Sequence, residues 1–246
     1  GFRPLCIGKK DSIYFLSSES AALDTIGAEF VRDVEPGEIV TIVDGQIYSD
    51  WIYHTDIKSR CIFEYIYFAR TDSIIDGQSV YSSRVKAGSI LADKYPVEAD
   101  LIVGVPESGL AAAVGYSQGS NIPYGMAFYK NSYVGRTFIK PKQNERTAGV
   151  QAKLNVIRDV VKGKRIVMVD DSIVRGTTIR NIVMMLKDAG ALEVHVRISS
   201  PPFKHPCYYG TDVPSSENLV AVNNTIEEIR ESINADSLGF LEIEDL

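Results

Sequence analysis

The stretch Ile166-Val167-Met168-Val169-Asp170-Asp171-Ser172-Ile173-Val174-Arg175-Gly176-Thr177-Thr178 decides how this chain is read. Four apolar residues run into two adjacent carboxylates, and a short loop of Ser, Gly and Thr follows. Past the loop, Ile179, Ile182, Val183 and Leu186 fall at helical spacing. The pattern predicts strand, loop and helix, with acids at the carboxyl end of a strand and small hydroxyl residues at a helix amino end. Such a place suits a phosphate, because backbone N–H groups and the helix dipole both face the anion. The carboxylate pair suits a sugar diol or a divalent metal, so a ligand carrying phosphate, ribose and metal satisfies the whole segment.

Outward from this stretch, apolar runs alternate with helical spacing. Strands are expected at Leu101–Val105, Tyr124–Phe128, Val156–Val161, Arg165–Val169 and Val194–Ile198, and helices at Tyr81–Lys94 and Gly109–Gln118. A last helix opens with a capping box, Thr225 with Glu228, and places Ile226, Ile229 and Ile233 on one face. Strands alternating with helices imply an α/β fold with a parallel sheet. The aromatic run Cys61–Ala69 reads as a buried strand, and the residues up to Tyr53 as β-rich, with a short helix near Ser20–Thr25 and a hairpin turn at Asp44-Gly45.

In a parallel sheet, ligands sit at the carboxyl ends of the strands. The Asp170–Thr178 segment then meets a second strand-to-turn segment, Val105-Pro106-Glu107-Ser108-Gly109, whose amides and Ser108 hydroxyl suit another anion or a metal. The polar segment Lys130–Val150 adds Lys130, Arg136, Lys140, Lys142 and Arg146, and a loop of that length is usually functional or disordered. Two anion cradles and a basic loop suggest a ligand with phosphates at both ends. Each piece has a blander reading: Asp-Asp after a strand can cap a helix, Gly-Thr-Thr is a common cap, and charge-rich loops are usually solvated. The joint pattern is what carries specificity. No G-x-x-x-x-G-K-[ST] loop occurs in the chain.

Bulk properties narrow the field. At 246 residues with 45% apolar and 24% charged residues, the chain is ordinary for a globular protein. A net charge of −6 argues against a nucleic-acid surface. Without a long apolar run or a signal pattern, no membrane association and a cytoplasmic location are expected. Cys6, Cys61 and Cys207 are too few and too scattered for a disulfide framework.

Val169 to Thr178 resembles the phosphoribosyl pyrophosphate (PRPP) loop of type I phosphoribosyltransferases, and more narrowly that of the glutamine PRPP amidotransferases, which begin purine synthesis. The resemblance extends to Gly1–Lys9, Ser18-Glu19-Ser20, Glu29–Glu38, Glu64–Phe68, Tyr133–Ile139 and Ser199–Pro202. It implies a β-rich remnant of an Ntn-type glutaminase domain over residues 1–60 and a phosphoribosyltransferase domain over residues 61–246. Asp170 and Asp171 are implied to bind the ribose hydroxyls and, with Ser108, to lie near a catalytic Mg²⁺. Ser172, Ile173, Val174, Arg175, Gly176, Thr177 and Thr178 are implied to cradle the 5′-phosphate. Glu107, Ser108 and Gly109 lie against pyrophosphate in this scheme, and Lys130, Tyr133 and Arg136 belong to a loop that closes over it. The implied reaction is displacement of pyrophosphate from PRPP by ammonia to give phosphoribosylamine. AMP and GMP are implied as inhibitors, and a homotetramer as the assembly.

The resemblance also bears on the cysteines. Cys61 and Cys207 fall at cluster-ligand positions of the iron–sulfur subset, where a [4Fe–4S] cluster takes four thiolates; Cys6 matches none and reads as core. The family's other two ligands and its amino-terminal nucleophilic cysteine have no counterpart in the 246 residues, so the chain as given is expected to be at most ammonia-dependent. Thr71 stands where the family usually has proline, and Ser132 where its loop usually has arginine. Two other readings are a base-specific phosphoribosyltransferase, opposed by Tyr133–Ile139, and a catalytically silent module that binds PRPP or purine nucleotides.

Overall fold

Turn residues every few positions in the first fifty residues favour antiparallel hairpins, and the computed structural model has them there; it describes residues 2–53, 59–131, 154–211, 213 and 215–246. The chain divides into two compact units, Gly1–Ser83 and Arg84–Leu246. In the first, β1 (Cys6–Lys10) pairs antiparallel with β2 (Ile13–Ser17) and with β3 (Glu29–Asp33), and α1 (Ser20–Ile26) joins the latter two. Strands β4 (Glu38–Val43) and β5 (Gln46–Trp51) form a hairpin closed by Asp44 and Gly45, both at positive φ, 50° and 74°. That pair of angles matches the twist of the flanking strands, which is why Asp-Gly serves there. Cys6 is core, packed with Leu23 and Ala28.

The aromatic run is not a strand. Glu64–Phe68 winds into a π-helical turn, because Phe63, Tyr67 and Phe68 stack edge-on or tilted, at 5.4 to 5.9 Å between centroids. Arg3 stacks on Phe68 and pairs with Glu64. A short apolar run has no period that separates a strand from a helical turn, so only these packing contacts decide it. A two-residue hairpin, β6 (Ile74–Ile75) with β7 (Gln78–Ser79), precedes α2 (Val80–Lys94).

The second unit is built on a parallel sheet. Its further elements are β8 (Leu101–Gly104), α3 (Gly109–Ser120), β9 (Phe128–Lys130), β10 (Leu154–Val156), α4 (Arg158–Val161) and β11 (Arg165–Asp170). They continue with α5 (Thr177–Asp188), β12 (Glu193–Ile198), α6 (Val220–Asn223), α7 (Ile226–Ser232) and β13 (Ser237–Phe240). The sheet order is β13-β12-β11-β8, all parallel. Strand β11 is buried on both faces. Ile166 and Met168 pack against Ile179, Ile182, Val183 and Leu186 of α5 on one side, while Val167 and Val169 meet Ala112, Ala113 and Tyr116 of α3 on the other. A continuous apolar run is what such double coverage requires.

Two further strand predictions are corrected. Tyr124 makes only a bridge to Ile102, and the following strand is Phe128–Lys130. Val156–Val161 divides into the end of β10 and the short helix α4. The Thr225–Glu228 capping box forms as expected; Ile229 and Ile233 are buried, whereas Ile226 is 42% exposed. Among the described residues no helix is long and apolar enough to cross a membrane.

Candidate active site

The acid pair sits where β11 leaves the sheet. Asp170 is the last residue of the strand, and the Ser199 amide, just past β12, fastens its carbonyl at 2.9 Å. Asp170 and Asp171 are 9% and 8% exposed. The Asp171 amide donates to Asp170 Oδ1 at 2.9 Å, and the Asp171 carboxylate accepts from the hydroxyls of Ser108 and Ser172. Burial holds the Asp170 carboxyl well above the usual carboxylate range, and the charge of Asp171 adds to the rise. Burial raises Asp171 as well, opposed by the two serine hydroxyls and by the guanidinium of Arg84. Two adjacent carboxylates out of water are an incomplete arrangement, which a cation or polar ligand completes.

The Val105–Gly109 turn is pressed against that strand end. Val105 N donates to Val169 O at 2.9 Å, and Gly109 N donates to Val105 O at 3.1 Å. A Cβ on Gly109 would lie 2.5 Å from Val169 O, so only glycine permits this approach. The approach is what carries Ser108, one residue before α3, to Asp171. The Pro106–Glu107 peptide is cis. Glu107 is exposed and pairs with Lys130 Nζ at 2.8 Å, which places Lys130, at the end of β9, over this turn.

The third component is the Ser172–Thr178 turn. The N-cap of α5 is Gly176, at φ 79° and with no side-chain hydrogen bond into the helix. The carboxylates are therefore not capping residues, and among the described residues no side-chain cap at the amino end of α5 competes with an anion. Ile173 is buried in the core, and Val174 O accepts from Val220 N at 2.9 Å, so the turn is anchored while Arg175, Thr177 and Thr178 face outward.

The structure thus brings together Glu107, Ser108, Gly109, Lys130, Asp170, Asp171 and the 172–178 turn. Tyr133 and Arg136, with the rest of 132–153, lie outside the described residues. Sequence reading missed Arg84. Its signal was spacing: Arg84 shares one face of α2 with Gly88 and Leu91, a position for an apolar residue. Two carboxylates and a hydroxyl are hard oxygen donors that fit Mg²⁺, an ion that completes its shell with substrate oxygens. Among the described residues no three His, Cys, Asp or Glu gather into a metal cage, so the protein's share of such a site is partial. For a [4Fe–4S] cluster the fit fails within this chain. Cys6 is buried in the core, which leaves Cys61 and Cys207, both partly exposed, against a need for four thiolates.

Comparison with known proteins agrees with this geometry. The family described as phosphoribosyl transferase domain matches residues 76–207, more than half of the chain. Amidophosphoribosyltransferase from Archaeoglobus fulgidus is 54% identical over 246 residues, covering 100% of this chain and 54% of the relative. That from Bacillus subtilis is 52% identical, covering 100% and 52%. The chain spans about half the length of the curated relatives it matches. Among solved structures, the B. subtilis glutamine PRPP amidotransferase complexed with ADP and GMP superposes with a TM-score of 0.91 at 52% identity, covering 100% of this chain and 54% of that one. A structure described as the allosteric regulatory enzyme of purine biosynthesis also gives 0.91, at 51% identity, covering 100% and 53%. The chain belongs to the phosphoribosyltransferase family, and within it resembles the amidophosphoribosyltransferases.

Proposed function

We propose that this chain carries the phosphoribosyl-transferring half of an amidophosphoribosyltransferase, displacing pyrophosphate from C1 of PRPP with ammonia to give 5-phosphoribosylamine. The observation that carries the reading is the buried Asp170–Asp171 pair joined through Ser108 to one anion turn and leading directly into another. The 172–178 turn and the amino end of α5 bind the 5′-phosphate, which fixes one end of the ligand. The pair accepts hydrogen bonds from the ribose hydroxyls and tolerates positive charge as C1 gains oxocarbenium character. The Glu107–Gly109 turn lies against pyrophosphate, and Lys130 turns from Glu107 to the departing phosphates. When bound at Ser108, Asp170 and Asp171, Mg²⁺ supplies charge neutralisation for the leaving group.

In this reading residues 1–60 belong to a glutaminase-type domain that delivers the ammonia, and the enzyme works in the cytoplasm as a homotetramer. The experiment is pyrophosphate release from PRPP with Mg²⁺ and ammonium. Asp170→Asn should lower it roughly 100- to 1,000-fold, the effect of removing one electrostatic contact to a transition state. Equal rates in the two chains would overturn the assignment. A second reading, a purine-nucleotide-binding module without turnover, is favoured by the nucleotides in the B. subtilis structure. Binding of AMP, GMP or PRPP without pyrophosphate release would support it.

A further inference from the structure

Strand β12 carries two buried ionisable side chains, His195 at 6% and Arg197 at 3% exposure. Residues two apart on a strand share a face. Arg197 Nε and Nη2 donate to the carbonyl of Tyr95, just past α2, at 3.2 and 3.1 Å, and Tyr116 of α3 donates its hydroxyl to the same carbonyl at 2.9 Å. Arg197 Nη1 donates to Val196 O and to Ser237 Oγ, each at 2.9 Å. His195 Nδ1 lies 3.0 Å from that Ser237 oxygen, and Nε2 lies 2.9 Å from Glu193 Oε2.

The two ends of this row of hydrogen bonds set its direction. A guanidinium only donates and a carboxylate only accepts. Nε2 therefore carries the proton that goes to Glu193, and Nδ1 of a neutral ring is then an acceptor. The Ser237 hydroxyl accepts from Arg197 and donates to Nδ1, so the row runs from Arg197 through Ser237 and His195 to Glu193. It closes only with a neutral ring. A proton on Nδ1 would turn the hydroxyl's acceptor into a second donor and set a second cation against an oxygen that already holds Arg197. Of the remaining neighbours, Asp236 accepts from Val194 N at 2.7 Å and pairs with Lys187 of α5 at 3.2 Å. Strand β11 presents Val167 beside His195, and the helix side presents the Tyr95 carbonyl and the Tyr116 hydroxyl to Arg197. Burial pushes the imidazole below its ordinary range; Arg197 adds to the fall, and Glu193 and Asp236 oppose it.

Ser237 begins β13, which lies at the edge of the sheet among the described residues. The same strand leans on Tyr95 further along, since a Cβ on Gly239 would lie 2.7 Å from Tyr95 Cγ. An edge strand has a ladder on one side only, so side-chain ties weigh more in holding it. We propose that His195 is a pH-sensitive latch on β13: the neutral ring completes the row that ties Ser237 to Arg197 and Glu193, and protonation breaks the row and loosens the strand. Above the ordinary 6.5 of a histidine the ring is neutral whether β13 is closed or open, and the latch holds. As pH falls below that value, the opened strand takes up a proton that the closed one resists, so opening is favoured. The device stands apart from the acid pair and does not depend on how that pair is used.

The test is amide hydrogen exchange in the full chain at about pH 7.5 and about pH 5.5, with rates corrected for their intrinsic pH dependence. In the parent, protection of β13 relative to β8 should fall roughly 2- to 10-fold at the lower pH, the upper bound being one proton taken up over one pH unit. His195→Gln, whose side chain does not titrate, should hold that ratio constant, and His205→Gln should behave as the parent. Ser237→Ala should lower protection of β13 already at about pH 7.5, and acidification should then change it less than about twofold. Equal acid responses in the parent and His195→Gln overturn the proposal, as does a Ser237→Ala chain that responds to acid like the parent. A readout on the parent alone covers the case in which His195→Gln does not fold. Imidazole nitrogen shifts at about pH 7.5 should place the ring proton on Nε2, and a proton on Nδ1 overturns the row.

Discussion

Gly109→Ala is the sharpest perturbation of the site, because it adds one methyl group and no charge. The new Cβ would stand 2.5 Å from Val169 O and 3.1 Å from Asp170 Cα, where ordinary contact begins at 3.4 Å. Both obstacles are backbone atoms of the buried central strand. The shortfall to Val169 O is therefore met by lifting the Val105–Gly109 turn by about 0.9 Å, which loosens the Val105 N to Val169 O bond and draws Ser108 off Asp171. Overpacking of this kind costs about 1–3 kcal/mol of stability. A misplacement near 1 Å in a site costs on the order of 100-fold in function. The assay is Mg–PRPP titration beside thermal unfolding, with Gly119→Ala on the same helix as the control, since its Cβ would meet the Ala92 methyl at 3.1 Å. Gly109→Ala should lose far more affinity than Gly119→Ala. Wild-type affinity and wild-type melting in Gly109→Ala would refute the steric reasoning.

Other outcomes follow from the same geometry. Gly88→Ala or Gly115→Ala drives a methyl group into a carbonyl of the facing helix at 1.8 Å, and each should cost about 3 kcal/mol or more, read as a fall of roughly 6–12 °C in melting midpoint. In the first unit, the hydrogen-bonded Arg32 guanidinium holds the Glu38 carboxyl down to about 2 from an ordinary 4.5. A depressed carboxylate stabilises the fold above its unfolded pKa, and that contribution is lost as pH falls from 4.5 towards about 2. With Arg32 about a third exposed, the contribution is about 1–2 kcal/mol after screening. Urea unfolding between pH 5 and pH 2.5 should show this slope in the parent and a flatter one in Glu38→Gln; equal slopes would count against the pair.

The predictions that depend on period and local chemistry were legible before any coordinates. Strand β11, helix α5, the Thr225 capping box and the Asp44-Gly45 hairpin each follow from residues close together in the chain, where hydrophobic spacing and turn geometry act directly. The site segments were legible for the same reason, since each is a strand end followed by a small-residue turn. What failed was local and ambiguous. Within Cys61–Ala69, Glu64–Phe68 is a π-helical turn because three aromatic rings stack on one another, and the Val156–Val161 run breaks where Arg158 begins a helical turn.

By itself, the sequence determined a parallel α/β unit, the acid pair at a strand end and the hydroxyl-rich turn before a helix, because backbone preference and side-chain period are properties of neighbours in the chain. Only the tertiary structure decided that Ser108 reaches Asp171, that Gly109 lies against Val169 O and that Lys130 meets Glu107. Those contacts join residues 23 to 63 positions apart. They exist because β8 and β11 pair in parallel and because glycines allow α2, α3 and the Val105–Gly109 turn to close on them, a consequence of packing that no short window of sequence contains.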